Sequence, residues 1–107
     1  MGQPHTFGTW HVKSGHEEEF VAAWQELASW TGDDIDQLGG GRLLQDQHDA
    51  TRFYSFGSWE SNEAIESWRE RPGFKQRLAA MSDLLDSYEI KTLESRVEVG
   101  ELCALPA

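Results

Sequence analysis

Apolar and polar positions alternate from Thr6 to Lys13. Gly8, Trp10 and Val12 fall on one face, and Phe7, Thr9 and His11 on the other. A period of two predicts a strand over 6–13 with apolar bulk on both faces. The period then changes. Phe20, Ala23, Trp24, Leu27 and Trp30 recur at three- and four-residue spacing, which predicts an amphipathic helix over about 15–31. Residues 32–41 are rich in Asp and Gly and read as a loop. Residues 42–47 and 52–59 read as two strands joined by the turn His48-Asp49-Ala50-Thr51, an antiparallel hairpin. In the second of these, Phe53, Ser55, Gly57 and Trp59 share one face, and Tyr54, Phe56 and Ser58 the other.

Ser61 is positioned to cap the next helix, with Glu63 in its first turn and Ala64, Ile65 and Trp68 as its apolar stripe. Arg71-Pro72-Gly73 interrupts that helix, because a residue before proline disfavours the helical region. A further helix is expected over 74–87, with the stripe Phe74, Leu78, Met81, Leu85 and Tyr88. The final strand is expected over 89–100. Its apolar residues Ile90 and Leu93 are out of alternation, which predicts a bulge between them.

The order strand, helix, strand, strand, helix, strand is the ferredoxin-like βαββαβ arrangement of an α+β domain: one antiparallel sheet with helices on one face. A single domain spans 1–107, with its core over about 6–99 and a tail over 100–107. The first and third strands should be central. Helices cover only one face, so Phe7, Thr9, His11, Tyr54, Phe56 and Ser58 would stand open on the other. An aromatic patch of this kind marks an interface. A second copy packed sheet to sheet about a two-fold axis, as a homodimeric α+β barrel, is the simplest cover.

Charge narrows the partners. The chain has 9 basic and 19 acidic residues, a net charge of −10, which argues against nucleic acid and against an anionic membrane surface. No apolar run is long enough to span a membrane and no signal-peptide core is visible at the N-terminus, so a cytoplasmic location is expected. Cys103 has no internal partner, so no disulfide framework is expected. Glu17-Glu18-Glu19 complement a helix dipole; successive helical positions point about 100° apart and do not converge on one metal ion. Gly39-Gly40-Gly41 lacks the following helix that a phosphate loop needs. No His, Asp, Glu or Cys cluster has metal-ligand spacing, and neither a metal nor a cofactor is expected.

Several stretches resemble the antibiotic biosynthesis monooxygenase family of dimeric α+β barrels. They are Val12-Lys13-Ser14-Gly15 with Glu17-Glu18-Glu19-Phe20, Leu43-Leu44-Gln45-Asp46, and Arg52-Phe53 through Trp59-Glu60-Ser61. Glu63-Ala64, Trp68-Arg69 and Pro72-Gly73-Phe74 complete the set. The resemblance covers residues 6–99 and implies the fold derived above. It also implies oxygenation of small phenolic, quinol or polyketide-like aromatic substrates without metal or flavin. One branch places a tryptophan at the strand end, matching Trp59, but its asparagine, tyrosine and arginine fall at Ser55, Ile65 and Leu78. The haem-degrading branch places a tryptophan on the helix, matching Trp68, but its first-strand asparagine falls at Gly8 and its iron-ligating histidine near Leu78, which disfavours haem.

The candidate catalytic residues are therefore Trp59, Trp68 and His11, the last because making a substrate anion calls for a base near neutral pKa. His11 faces the open side by its register. The pocket expected between sheet and helices is lined by Trp10, Phe53, Ser55, Gly57, Ile65, Leu78 and Met81, with Gly8 and Gly57 removing volume beneath a flat aromatic ligand. Ser55 is a candidate acceptor for the indole N–H of Trp59 or Trp68. The alternative is a non-catalytic dimeric module, either small-molecule-binding or stress-related, that keeps the fold without the chemistry.

Overall fold

A computed structural model describes residues 2–100. Cys103 and the rest of the tail beyond Gly100 lie outside the described residues. The elements run β1 (Pro4–Val12), α1 (Glu17–Asp34), β2 (Leu38–Gln45), β3 (Arg52–Trp59), α2 (Asn62–Glu70), α3 (Pro72–Ser82) and β4 (Leu85–Glu94). All strand pairs are antiparallel, in the order β2-β3-β1-β4, so β1 and β3 are central. The fold is α+β and ferredoxin-like, with the helices packed on one face of the sheet.

Local chemistry explains the helix boundaries. Ser61 caps α2: its Oγ accepts from the Ala64 amide at 3.1 Å. Arg71 ends α2 in an extended conformation and, with Pro72 in the first turn, starts α3. The three glutamates stand in the first turn of α1, preceded by a turn in which Gly15 has φ 91°.

Three expectations need correction. Of the loop expected over 32–41, residues 32–34 extend α1 and residues 38–41 form strand. Pairing with β3 outweighs the weak strand propensity of three glycines. The pairing is so close that a side chain at Gly39 or Gly41 would strike Ser58 Oγ (2.6 Å) or Phe56 O (2.5 Å). Gly40, at φ 114°, absorbs the register shift between Leu38 and Gly40. Second, α3 ends at Ser82 and β4 begins at Leu85, where 74–87 was expected to be helical. Met81, Leu85 and Tyr88 suit a helical stripe, but Leu85 and Tyr88 instead pair with Val12 and Trp10. Third, the β4 irregularity lies at its start, where Asp86 is the extra residue between the Val12–Leu85 and His11–Ser87 pairs. Register is regular from Ile90 through Leu93. Ile90 thus faces the helices and Leu93 the open side. β4 also ends at Glu94 rather than continuing to 100.

The core lies between the helices and one sheet face. Val12, Phe20, Phe53, Trp59, Ile65 and Met81 are at most 1% exposed. On the opposite face no element among the described residues covers the strands: Phe7, Tyr54 and Phe56 are only half-buried, and Leu44 and Leu93 are 48% and 46% exposed, although Ser58, expected to stand open there, is only 6% exposed.

Candidate functional site: an uncharged cavity under four tryptophans

A cavity of about 300 Å³ lies between the helix-side face of the sheet and the helices. Its floor is Thr6, Gly8 and Trp10 of β1, Ser55, Gly57 and Trp59 of β3, and Leu38, Gly40 and Gly41 of β2. Trp24, Leu27, Ala28 and Thr31 of α1 form one wall, and Trp68 of α2 and Phe74 of α3 another. Among the described residues the lining contains no ionisable side chain.

Three indole N–H groups in this wall are satisfied, each by a hydroxyl. Trp10 donates to Ser55 Oγ at 2.9 Å, Trp59 to Thr6 Oγ1 at 3.1 Å, and Trp68 to Thr31 Oγ1 at 3.0 Å. Thr31 in turn donates to the Leu27 carbonyl at 2.7 Å, the previous turn of α1. An indole buried without an acceptor would cost about 1–3 kcal/mol, so these bonds let tryptophans serve as wall. Trp59 and Trp68 also pack on each other (centroids 4.9 Å), and Trp68 packs on Phe74 (4.4 Å). These contacts fix the ring orientations that bound the cavity.

On the two central strands Gly8 is the tightest point of the floor. A Cβ there would lie 2.7 Å from both Ser55 Oγ and Trp10 Nε1, so the Trp10–Ser55 bond forms only because position 8 is bare. At Gly57 a Cβ would meet only ordinary contacts, at 3.4 Å or more.

Of the sequence-expected site residues, the fold brings Trp10, Ser55, Gly57, Trp59 and Trp68 together on the cavity surface. Phe53, Ile65 and Met81 lie in the packed core behind it, at 1%, 1% and 0% exposure, and Leu78 packs against that core. Ser55 serves Trp10, not Trp59 or Trp68. His11 stands on the other face of β1, paired with Arg52 and Ser87. The nearby Asp49 carboxyl is held below its usual pKa chiefly by the Thr51 hydroxyl (2.7 Å) and amide (3.1 Å), with smaller contributions from the charges of Arg52 and His11.

Thr6, Thr31 and Trp24 are wall residues outside the sequence-expected set. For Thr6 a signal is present in the chain. Residues 6–10 read Thr-Phe-Gly-Thr-Trp and residues 55–59 read Ser-Phe-Gly-Ser-Trp, the same five-residue pattern on the two central strands. The register sets Thr6 opposite Gly57 and Gly8 opposite Ser55. Each strand's tryptophan reaches across to the hydroxyl that opens the other strand's pattern.

Comparison with known proteins places this geometry. The family model for antibiotic biosynthesis monooxygenases matches residues 6–80. A search among curated proteins finds no match. Among solved structures, the chain is similar to SnoaB, a cofactor-independent oxygenase from Streptomyces nogalater, with a TM-score of 0.86 at 17% identity over 94% of this chain and 100% of that one. It is also similar to PA3566 from Pseudomonas aeruginosa (TM-score 0.76, 21% identity, 91% and 97% covered). A conserved protein from Methanosarcina mazei Go1 gives a TM-score of 0.81 at 16% identity, with 90% and 95% covered. At these identities the structural likenesses establish the fold, and the family model establishes the relationship: the chain belongs to the antibiotic biosynthesis monooxygenase family.

Proposed function

We propose that the protein is a cofactor-independent monooxygenase of small phenolic or quinol-type aromatic compounds, and that the cavity beneath Trp59 and Trp68 is its substrate site. The observation that carries this reading is the cavity itself: about 300 Å³, apolar, bounded by tryptophan rings whose N–H groups are already satisfied. That volume stands at the small end of ligand sites and suits one or two fused rings. Trp59 and Trp68 supply flat faces for stacking, and Ser55 orients a polar substituent. Excluding water from such a site would protect a substrate carbanion or radical from side reactions while dioxygen adds. His11 faces away from the cavity, so it is not proposed as a base there. With no ionisable side chain on the wall among the described residues, the substrate's own acidity would set how readily its anion forms.

A second reading, a non-catalytic ligand-binding module, is favoured by that same lack of an acid or base. Dioxygen uptake separates the two. The enzyme reading expects uptake with dihydroxynaphthalenes or anthrones above the autoxidation rate, and a Trp68→Phe variant with reduced turnover. Tight binding of the same compounds with no uptake above background overturns the enzyme reading and leaves the binding module.

The open sheet face supports a homodimer as the working form. Phe7 and Tyr54 pack at 6.5 Å, and with Phe56 and Leu93 they form an apolar surface that a second copy would cover. Sedimentation or light scattering giving about 24 kDa supports this. A dilution-independent mass near the 12.1 kDa of one chain overturns it. No described helix is long and apolar enough to cross a membrane. With the acidic surface this supports a cytoplasmic location, which fractionation of the source cells would test.

A further inference from the structure

Four of the five tryptophans are tied to a polar partner. Trp10, Trp59 and Trp68 donate to hydroxyls at 2.9, 3.1 and 3.0 Å, and the Arg77 guanidinium lies 4.8 Å over the Trp30 ring. Trp24 is the exception. It packs against the core and lines the cavity, yet among the described residues it makes neither a hydrogen bond nor an aromatic ring contact. The buried side-chain nitrogens and oxygens left without a partner, among the described residues, lie on Arg69 and Arg77. The free indole N–H of Trp24 therefore reaches an open surface. Its place on α1 matters as much as its freedom. Trp30 faces α3 through Arg77, and Trp24 and Ala28 lie about 120° and 160° around α1 from Trp30, so both turn away from α3. Both line the cavity and both are half-buried, whereas Leu27 and Thr31, the other wall residues of α1, are buried. The edge strand β2 packs against α1 and adds Leu38, Gly40 and the exposed Gly41 to the same lining. Its two glycines carry no side chain to close that side.

We propose that Trp24 is the gate of the cavity: its ring closes a mouth between α1 and β2 and swings aside to admit a ligand. The other tryptophans of the wall are unsuited to this. Turning Trp10, Trp59 or Trp68 out of place breaks an indole–hydroxyl bond and leaves both groups unpaired in a buried site. Trp24 gives up no hydrogen bond when it turns. Only its packing against the core resists, and that contact holds the ring closed when no ligand is entering. The bare backbone at Gly40 and Gly41 leaves the ring room to move. Once a ligand is inside, closure of the ring shuts out water on the one side of the cavity that α1 and β2 leave thin, as the proposed chemistry requires.

The gate rests on the cavity being the ligand site, and the test separates the two. Stopped-flow mixing with 1-naphthol, followed by the naphthol's own fluorescence, gives the association and dissociation rates. Trp24→Ala should raise the association rate constant about tenfold, toward that of an open pocket, and Ala28→Trp, which adds a second ring at the mouth, should lower it by about the same factor. A side chain that only touches the bound ligand changes dissociation alone. An unchanged association rate in folded Trp24→Ala therefore overturns the gate and leaves the cavity as a ligand site. Failure of the unaltered protein and of Trp24→Ala to bind 1-naphthol overturns both. A second measurement needs no substitution at the mouth. A gate that limits entry moves in microseconds to milliseconds. In protein labelled with 5-fluorotryptophan, the Trp24 fluorine resonance should show relaxation dispersion without ligand and lose it at saturating 1-naphthol, while the tied Trp10 shows none in either state. A Trp24 resonance without dispersion in the ligand-free protein overturns the gate.

Discussion

The two faces of the sheet are made from the same strands and from similar residues, yet they end in opposite states. On the helix side Trp10, Phe53 and Trp59 are 3%, 1% and 1% exposed, and the polar groups there are paired hydroxyl to indole. On the other side Phe7, Tyr54 and Phe56 share the face with His5, His11 and Arg42, and no element among the described residues covers them. A groove of about 670 Å³ runs along that face between Phe7, Phe56, Leu93 and the exposed Val97 and Val99. Aromatic content alone therefore does not say whether a face is core, pocket or interface. What covers it decides, and where the cover leaves room, as between the central strands and α1, the result is a cavity.

The contrast can be broken by experiment, most forcefully at the buried end. Trp59→Ala removes a ring that packs on Trp68 and frees the Thr6 hydroxyl, and should cost about 3–5 kcal/mol in urea unfolding. Phe7→Ala on the open face should cost the isolated chain about 1 kcal/mol or less, since that ring is already half in water. Comparable losses at the two positions in a monomer would erase the distinction between the faces. Next in size, Phe7→Asp should weaken self-association at least tenfold, so that the concentration dependence of the melting temperature disappears. A pair of glycine substitutions sharpens the account of the floor. Gly8→Ala forces Ser55 or Trp10 to move and should cost about 1 kcal/mol along with ligand affinity. Gly57→Ala meets only ordinary contacts and should leave stability within about 0.5 kcal/mol.

Away from both faces, Ser61→Ala should cost about 1 kcal/mol through loss of the α2 cap. The smallest effect is at the hairpin tip. The Asp49 pKa is depressed, so its contribution is present above the unfolded carboxylate pKa and is lost as pH falls through the folded value. Thr51→Val removes the leading cause, and an NMR titration should find the Asp49 pKa moved up toward that of an ordinary aspartate. An unchanged midpoint would remove Thr51 as the cause.

Much of the fold was legible in the chain because period-two and period-3.6 patterns are set by where each side chain points. β1, α1, β3 and the Ser61 cap follow from that alone. The ends of the sheet did not. Gly39 to Gly41 carry no strand signal, and only the approach of β3 makes them strand. Leu85 and Tyr88 fit a helix or a strand equally well until Val12 and Trp10 pair with them. The site divided in the same way. Trp10, Ser55, Gly57, Trp59 and Trp68 could be placed on one surface by alternation and helical spacing. Phe53, Ile65, Leu78 and Met81 belong to the same stripes, and nothing local distinguishes a residue that lines a void from one that fills it.

The sequence by itself determined the order of elements, the two faces of each central strand and the uncharged character of the residues turned toward the helices. It also held the Thr-Phe-Gly-Thr-Trp and Ser-Phe-Gly-Ser-Trp repeat, whose meaning is invisible in one dimension. Only the tertiary structure decided that the two copies run antiparallel and in register, so that hydroxyl faces glycine and each indole crosses to the other strand. The physical reason is that side-chain direction is a local property of the backbone, whereas a hydrogen bond between residues 10 and 55, or a cavity between them and α1, exists only after distant segments have been brought within contact.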